Sequence, residues 1–168
     1  MLVEGTSDRR ALETLARRRG RDLHAEGVTV VPMGGYGNLP RLLTKYRDVR
    51  RLAGLYDIGE EQHFLRALGC GDRGELERIG FYACTLDLED ELTRAVGPTG
   101  MQRLLSEQGE LRAFRTYQKQ PAHRDRPLEE QLHGFMWNRK QKYAVLLVEA
   151  LDLERIPRPL DRVLAHVY

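Results

Sequence analysis

Five carboxylates, Glu4, Asp8, Asp57, Asp87 and Glu89, stand where a short apolar run gives way to a break or a helix start. The first pair sits in Leu2-Val3-Glu4-Gly5-Thr6-Ser7-Asp8. An apolar run ends at Glu4, Gly5 breaks it, Thr6 or Ser7 can cap the next helix, and Asp8 falls in that helix's first turn. Asp57 closes Leu52–Tyr56, and Asp87, Glu89, Asp90 and Glu91 follow Ile79–Cys84. Each acid alone has a structural reading, because a carboxylate near a helix N-terminus gains about 0.3–1 kcal/mol from the dipole. Together they point to more. Two unit charges about 4 Å apart repel by roughly 4 kcal/mol at an effective dielectric of 20. Gathered at one sheet edge, these acids would raise one another's pKa values unless a cation lay among them. Oxygen-only donors favour Mg²⁺ or Mn²⁺ over zinc.

Elements that would position these acids alternate through the first half of the chain. Leu2–Val3 reads as a strand, 7–20 as a helix, 28–32 as a strand and 39–46 as a helix opened by Pro40. Residues 52–56 read as a strand, 60–68 as a helix, 69–74 as a loop and 79–84 as a strand. Such alternation implies an α/β fold, a mostly parallel sheet flanked by helices, whose ligands gather at the C-terminal ends of the strands. A first strand of two residues predicts a frayed sheet edge beside Glu4 if nothing precedes it. Past residue 98 only helices are signalled: 98–108, 110–119, 128–137, 141–152 and 159–167. Ala144, Leu147, Val148 and Leu151 form a core-facing stripe on the fourth of these. The division expected is an α/β core over 1–95 and a helical extension over 96–168.

With 168 residues, the chain suits one domain able to bury roughly 70% of its unfolded surface. No apolar run reaches bilayer length, no signal peptide precedes Glu4, and Cys70 and Cys84 make no framework, which reads as a cytoplasmic protein. The net charge of +2 hides an asymmetry. Between Asp57 and Glu91 ten acids face three Lys/Arg, whereas between Arg112 and Lys142 eight Lys/Arg face three acids. That pattern suits a cation-loaded site that also holds a polyanion, and equally two solvated faces. Arg112, Arg115, Lys119, Arg124 and Arg126, interleaved with Phe114 and Tyr117, make a nucleic-acid-binding stretch or a solvated surface. Gly34-Gly35-Tyr36-Gly37-Asn38 lacks the Gly-Lys-Ser/Thr of a phosphate-binding P-loop. The five histidines show no ligand spacing, and Met136 and Trp137 read as core.

The opening Leu2–Asp8 resembles the signature of the Toprim domain, shared by topoisomerases, primases, small maturases and OLD-family nucleases (overcoming lysogenization defect). Leu55-Tyr56-Asp57-Ile58-Gly59-Glu60 is similar to the second Toprim motif, and Leu86–Leu92 to the third acidic motif of the OLD-like branch. Arg139-Lys140-Gln141-Lys142-Tyr143-Ala144 resembles that branch's C-terminal lysine element. The resemblance implies a Mg²⁺- or Mn²⁺-dependent endonuclease on DNA, with a two-metal site. Glu4 would be a metal-proximal acid or general acid/base, and Asp8 and Asp57 metal ligands. Glu89, with Asp87 or Asp90 beside it, would complete a second position. Lys140, or in competition Lys142, would balance charge on the scissile phosphate. The family expects Asp-x-Asp where this chain has Asp57-Ile58-Gly59, so Glu60 or Glu61 would have to reach the vacant position. OLD nucleases usually carry an ATPase before the Toprim part, so ATP dependence would call for a separate ATPase partner. The alternative is a catalytically degenerate module that binds metal or nucleic acid.

Overall fold

The computed structural model describes residues 1–168. Four strands, β1 (Leu2–Val3), β2 (Val31–Pro32), β3 (Gly54–Asp57) and β4 (Phe81–Cys84), form one sheet in the order β2-β1-β3-β4, with every pair parallel. Helices α1 (Thr6–Arg18), α2 (Leu39–Lys45), α3 (Glu61–Leu68) and α4 (Arg73–Arg78) fill the connections. The helical half is α5 (Leu88–Glu107), α6 (Leu111–Gln118), α7 (Leu128–Met136), α8 (Lys140–Ala150) and α9 (Arg158–His166). No helix is long and apolar enough to cross a membrane.

The period of two along each strand sorts side chains between two cores. Val3, Leu55, Tyr82 and Cys84 face the larger core, which also holds Leu12 and Leu15 of α1, Leu92 of α5, Phe135 of α7, Leu147 of α8 and Leu164 of α9. Leu2, Tyr56 and Phe81 face a smaller core closed by Leu39, Leu42, Phe64 and Leu76. Parallel sheets need both faces covered, and the helices supply that cover. The α8 stripe at Ala144, Leu147, Val148 and Leu151 is buried as the spacing implies.

β1 lies inside the sheet, contrary to a frayed edge. Leu2 N–H donates to Ala53 O at 2.7 Å, Val31 N–H to Met1 O at 2.8 Å and Met33 N–H to Val3 O at 2.7 Å. The terminal ammonium of Met1 donates to Thr29 O at 2.7 Å. The edge strands are β2 and β4, and only Val31–Pro32 of the 28–32 run is paired, because β1 offers just two partners. Two further differences trace to local chemistry. Residues 73–78, read partly as loop, form α4, started by Asp72 accepting from Glu75 N–H at 2.9 Å. The acidic segment and the 98–108 helix join in α5, broken at Gly97 (φ 74°), which turns the chain before Pro98.

β1 and β3 approach closely because Gly54 separates them. A Cβ there would lie 2.8 Å from Leu2 O and 2.9 Å from the Phe81 ring. One contact is backbone, so the strands would have to part. Gly54→Ala should destabilise the fold by about 1–3 kcal/mol, a drop of roughly 2–10 °C in Tm. An unchanged Tm by calorimetry would contradict this packing.

Candidate functional site

β1 leads to β2 on one side of the sheet and β3 to β4 on the other, so the strand order reverses between β1 and β3. Open α/β sheets bind ligands at such a switch point, beyond the carboxyl ends of the strands. Glu4 follows β1 directly, and Asp57 ends β3. Asp8 enters from the first turn of α1, where its carboxylate accepts from Gly5 N–H at 2.8 Å and so occupies an orphan donor of the helix start. Asp87 caps α5, accepting from Asp90 N–H at 2.8 Å, and puts Glu89 in the first turn.

Lys140 arrives from the far end of the chain. Arg10 of α1 donates to Gln141 O at 3.0 Å, and Arg18 to Val148 O and Leu151 O at 2.6 Å. Residue numbers rise together along both helices, so α8 runs parallel to α1 and their N-termini share one end. Lys140, first in α8, thus comes to the acids, donating to Asp87 Oδ2 at 2.8 Å and pairing with Glu89 Oε2 at 3.3 Å. Burial opposes the ammonium, but Asp87 and Glu89 outweigh it and raise its pKa. For Asp87 too, burial works against the charge, yet Lys140, the Asp90 N–H and His133 hold its carboxyl below the usual range.

The remaining acids lack such support. Burial, then the charges of Glu89 and Glu4, push Asp8 up to about 7 despite the Gly5 N–H. Burial, then Glu4, Glu60, Asp87 and Asp8, push Asp57 up to about 8. Burial and Glu4 push Glu60 up to about 7. Glu89 is 2% exposed, and its Oε1 is buried without a hydrogen-bond partner. No three His, Cys, Asp or Glu side chains draw close enough to enclose a cation. The acids share an electrostatic field without forming a closed cage. The donor set nevertheless fits a hard divalent cation: all-oxygen ligands, mutually disfavoured charges and one orphaned buried carboxylate oxygen.

Structure sorts the alternatives left open by the sequence. Glu60 feels Glu4 and Asp57, whereas Glu61 turns to Arg73 and accepts from Tyr56 O–H at 3.3 Å. Asp90 pairs with Arg94 at 2.8 Å, away from Lys140. Lys142 lies beside Glu110, together with Arg139. Arg112, Arg115 and Lys119 are exposed on and just after α6, and Arg124 is exposed beside Asp125 at 3.3 Å. The aromatic interleaving of that stretch is internal packing: Phe114 is buried, and Tyr117 stacks on His123 with centroids 3.9 Å apart. Two residues escaped the sequence reading. His133 Nε2 lies 3.1 Å from Asp87 Oδ2. Trp137 is 60% exposed rather than core, whereas Met136 is buried as expected. Helical spacing of 133, 137 and 140 was the signal that could have linked both to Lys140.

Comparison with known proteins agrees with this fold. Residues 1–51 match the family model described as the TOPRIM domain of overcoming lysogenization defect (OLD) protein-like proteins. The chain superposes on the C-terminal region of the Burkholderia pseudomallei OLD protein with a TM-score of 0.73 at 17% identity, covering 99% of this chain and 94% of that one. Two structures of the C-terminal region of the Xanthomonas campestris pv. campestris OLD protein give TM-scores of 0.69 and 0.66 at 22% identity. They cover 99% of this chain and 89% and 92% of the others. No curated protein matches the chain. The fold is therefore Toprim-like, a parallel sheet between helices followed by a helical region, as in the OLD C-terminal regions.

The raised carboxyls make the metal-free protein sensitive to pH. Unfolded, these groups titrate near 4, and folded they titrate at about 7 to 8. Between those values the folded chain keeps protons that the unfolded chain has lost, so stability falls as pH rises across that window. Acids with lowered values, Asp87, Glu110 and Glu77, act in the opposite sense below about pH 4.5. In chelator, Tm should fall between about pH 5 and 8.5, and Mg²⁺ should raise it more at the upper pH. A flat profile insensitive to Mg²⁺ would contradict the crowding of acids described above.

Proposed function

We propose that the chain is a Mg²⁺- or Mn²⁺-dependent phosphodiesterase that cleaves DNA, an endonuclease of the OLD Toprim type. The observation that carries this reading is Lys140, held against Asp87 and Glu89 beside carboxylates whose charges oppose one another. Glu4, Asp8, Asp57, Glu60 and Glu89 would hold the cations. When bound, these supply an activated water and charge stabilisation at the leaving oxygen.

The chain's own residues do the rest. Lys140 presents a fixed positive charge where a phosphodiester passing through five-coordination gathers negative charge. Asp87 anchors it, with Oδ2 shared between Lys140 and His133 and Oδ1 taken by the Asp90 N–H. Asp87 is thereby more an orienter of the lysine than a free ligand. Glu4, exposed at the end of β1, would be the group that accepts the proton of the attacking water. The helical extension over 96–168 belongs to the site because it delivers Lys140. Arg112, Arg115, Lys119 and Arg124 offer exposed cations to the phosphate backbone on that same part of the chain, with Lys142 a further cation beside Glu110. A separate ATPase partner is part of this proposal, taken from the family to which the fold is similar.

A second reading, a degenerate module that binds metal or DNA without cutting it, is favoured by two observations. Gly59 stands where the motif carries its second aspartate, and the acids do not close around a cation. Nicking of supercoiled plasmid separates the two. The native chain should nick in Mg²⁺ or Mn²⁺ and be silent in chelator. Glu4→Gln should abolish nicking, and Lys140→Ala should slow it by about 10²-fold or more. Metal binding without nicking by the native chain would favour the degenerate module. Nicking that survives both substitutions would overturn the site assignment.

A further inference from the structure

Exposed large apolar side chains are unevenly placed. Of the eight in the molecule, four lie around the acids. Tyr36, Ile58 and Leu86 stand in the segments that follow β2, β3 and β4, at the carboxyl edge of the sheet. The fourth, Trp137, opens the 3-10 turn Trp137–Arg139 between α7 and α8. A scattered exposed apolar residue is ordinary, but four on one charged edge are not scattered.

Trp137 is the one with the most direct connection to the site. Lys140 Nζ lies 4.7 Å from the centre of its ring. The His133 ring, bonded to Asp87, meets it edge-on with centroids 6.2 Å apart. The cation that would face the scissile phosphate thus sits against the indole, and these contacts fix the ring's orientation without covering it. A separate surface groove of about 620 Å³, which Trp137 does not line, lies between α6 and Asn138–Arg139, with Arg112, Thr116 and Gln120 along it. An open aromatic ring seated against an ammonium, with guanidinium and amide groups in a separate groove beside the same turn, matches phosphates bearing planar bases. A protein partner would want a broader apolar surface, and a free phosphate would have no use for the ring.

Resting on the nuclease reading, we infer that Trp137 is a stacking platform for an unpaired nucleobase next to the scissile phosphate, so that the site takes single-stranded or locally opened DNA. Base–aromatic stacking is indifferent to sequence, because every base presents a π face. It requires that the base be free of its neighbours, which sets a single strand apart from an intact duplex.

Trp137 is the only tryptophan in the chain, so its fluorescence reports on this position alone. The experiment titrates the native protein with a short oligothymidylate, with Ca²⁺ replacing Mg²⁺ to hold back turnover. Binding is followed in parallel by anisotropy of a labelled strand. The oligothymidylate should quench the tryptophan, and an abasic strand of equal length should bind roughly five- to 150-fold more weakly without quenching. A matched duplex should quench less than the single strand. Trp137→Ala should lose affinity to the same extent as removal of the bases, and Trp137→Phe should restore most of it. Binding by anisotropy with no change in fluorescence, or equal binding of the abasic strand, overturns the stacking role and leaves the nuclease reading intact. No binding of any strand, together with no plasmid nicking, overturns both.

Discussion

Everything at the carboxyl edge of this sheet depends on how negative charge is tolerated there. β1, β3 and β4 release Glu4, Asp57 and Asp87 at one edge, and α1 and α5 start there with Asp8 and Glu89 in their first turns. Helix N-termini soften the repulsion, since their unpaired N–H groups face the carboxylates. The Gly5 and Asp90 amides do so directly. Lys140 offsets a further part, although its own position at the start of α8 is unfavourable for a cation. Asp87 and Glu89 are therefore as necessary to Lys140 as it is to them. Charge still remains in excess at Asp8, Asp57 and Glu60, and that excess is what a divalent cation would neutralise.

The two halves of the chain meet through this balance. α8 contributes a buried stripe to the larger core, and Arg18 of α1 satisfies carbonyls at the C-terminal end of α8. Those contacts set the parallel alignment of α1 and α8, which in turn puts Lys140 beside residues more than fifty positions earlier. Packing and site are thus coupled. Shifting α8 by one turn, about 5.4 Å, would carry the ammonium out of reach of both acids.

Much of this was legible in the sequence because local signals agreed with the global fold. The apolar runs leading to Asp57 and ending at Cys84, the Gly5 break and the acidic helix starts placed the carboxylates at the strand ends. The buried stripe of α8 followed from its spacing. What escaped was set by tertiary context. Pairing of 28–32 is limited by the length of β1, a neighbour distant in sequence. α4 is short, contains Gly74, and depends on its Asp72 cap more than on propensity. His133 had no local partner to suggest a role, and its position 3.1 Å from Asp87 arises only when α7 packs beside α5. Trp137 read as core from its chemistry, yet the turn joining α7 to α8 leaves it in solvent. Glu60 and Glu61 were indistinguishable until Arg73, on the unforeseen α4, drew Glu61 away.

The proposed function stands or falls on a divalent-cation site formed by the acids at the strand ends, with Lys140 balancing part of its charge. Counting bound Mn²⁺ by the loss of its free electron-paramagnetic signal tests it most directly, in the native chain and in Asp8→Asn, Asp57→Asn and Lys140→Ala. Saturable Mn²⁺ binding is expected in the native protein and should weaken sharply in either Asn variant. It should persist in Lys140→Ala, where the excess negative charge is larger. Absence of saturable binding in the native chain, or binding unaffected by both Asn substitutions, would contradict the account.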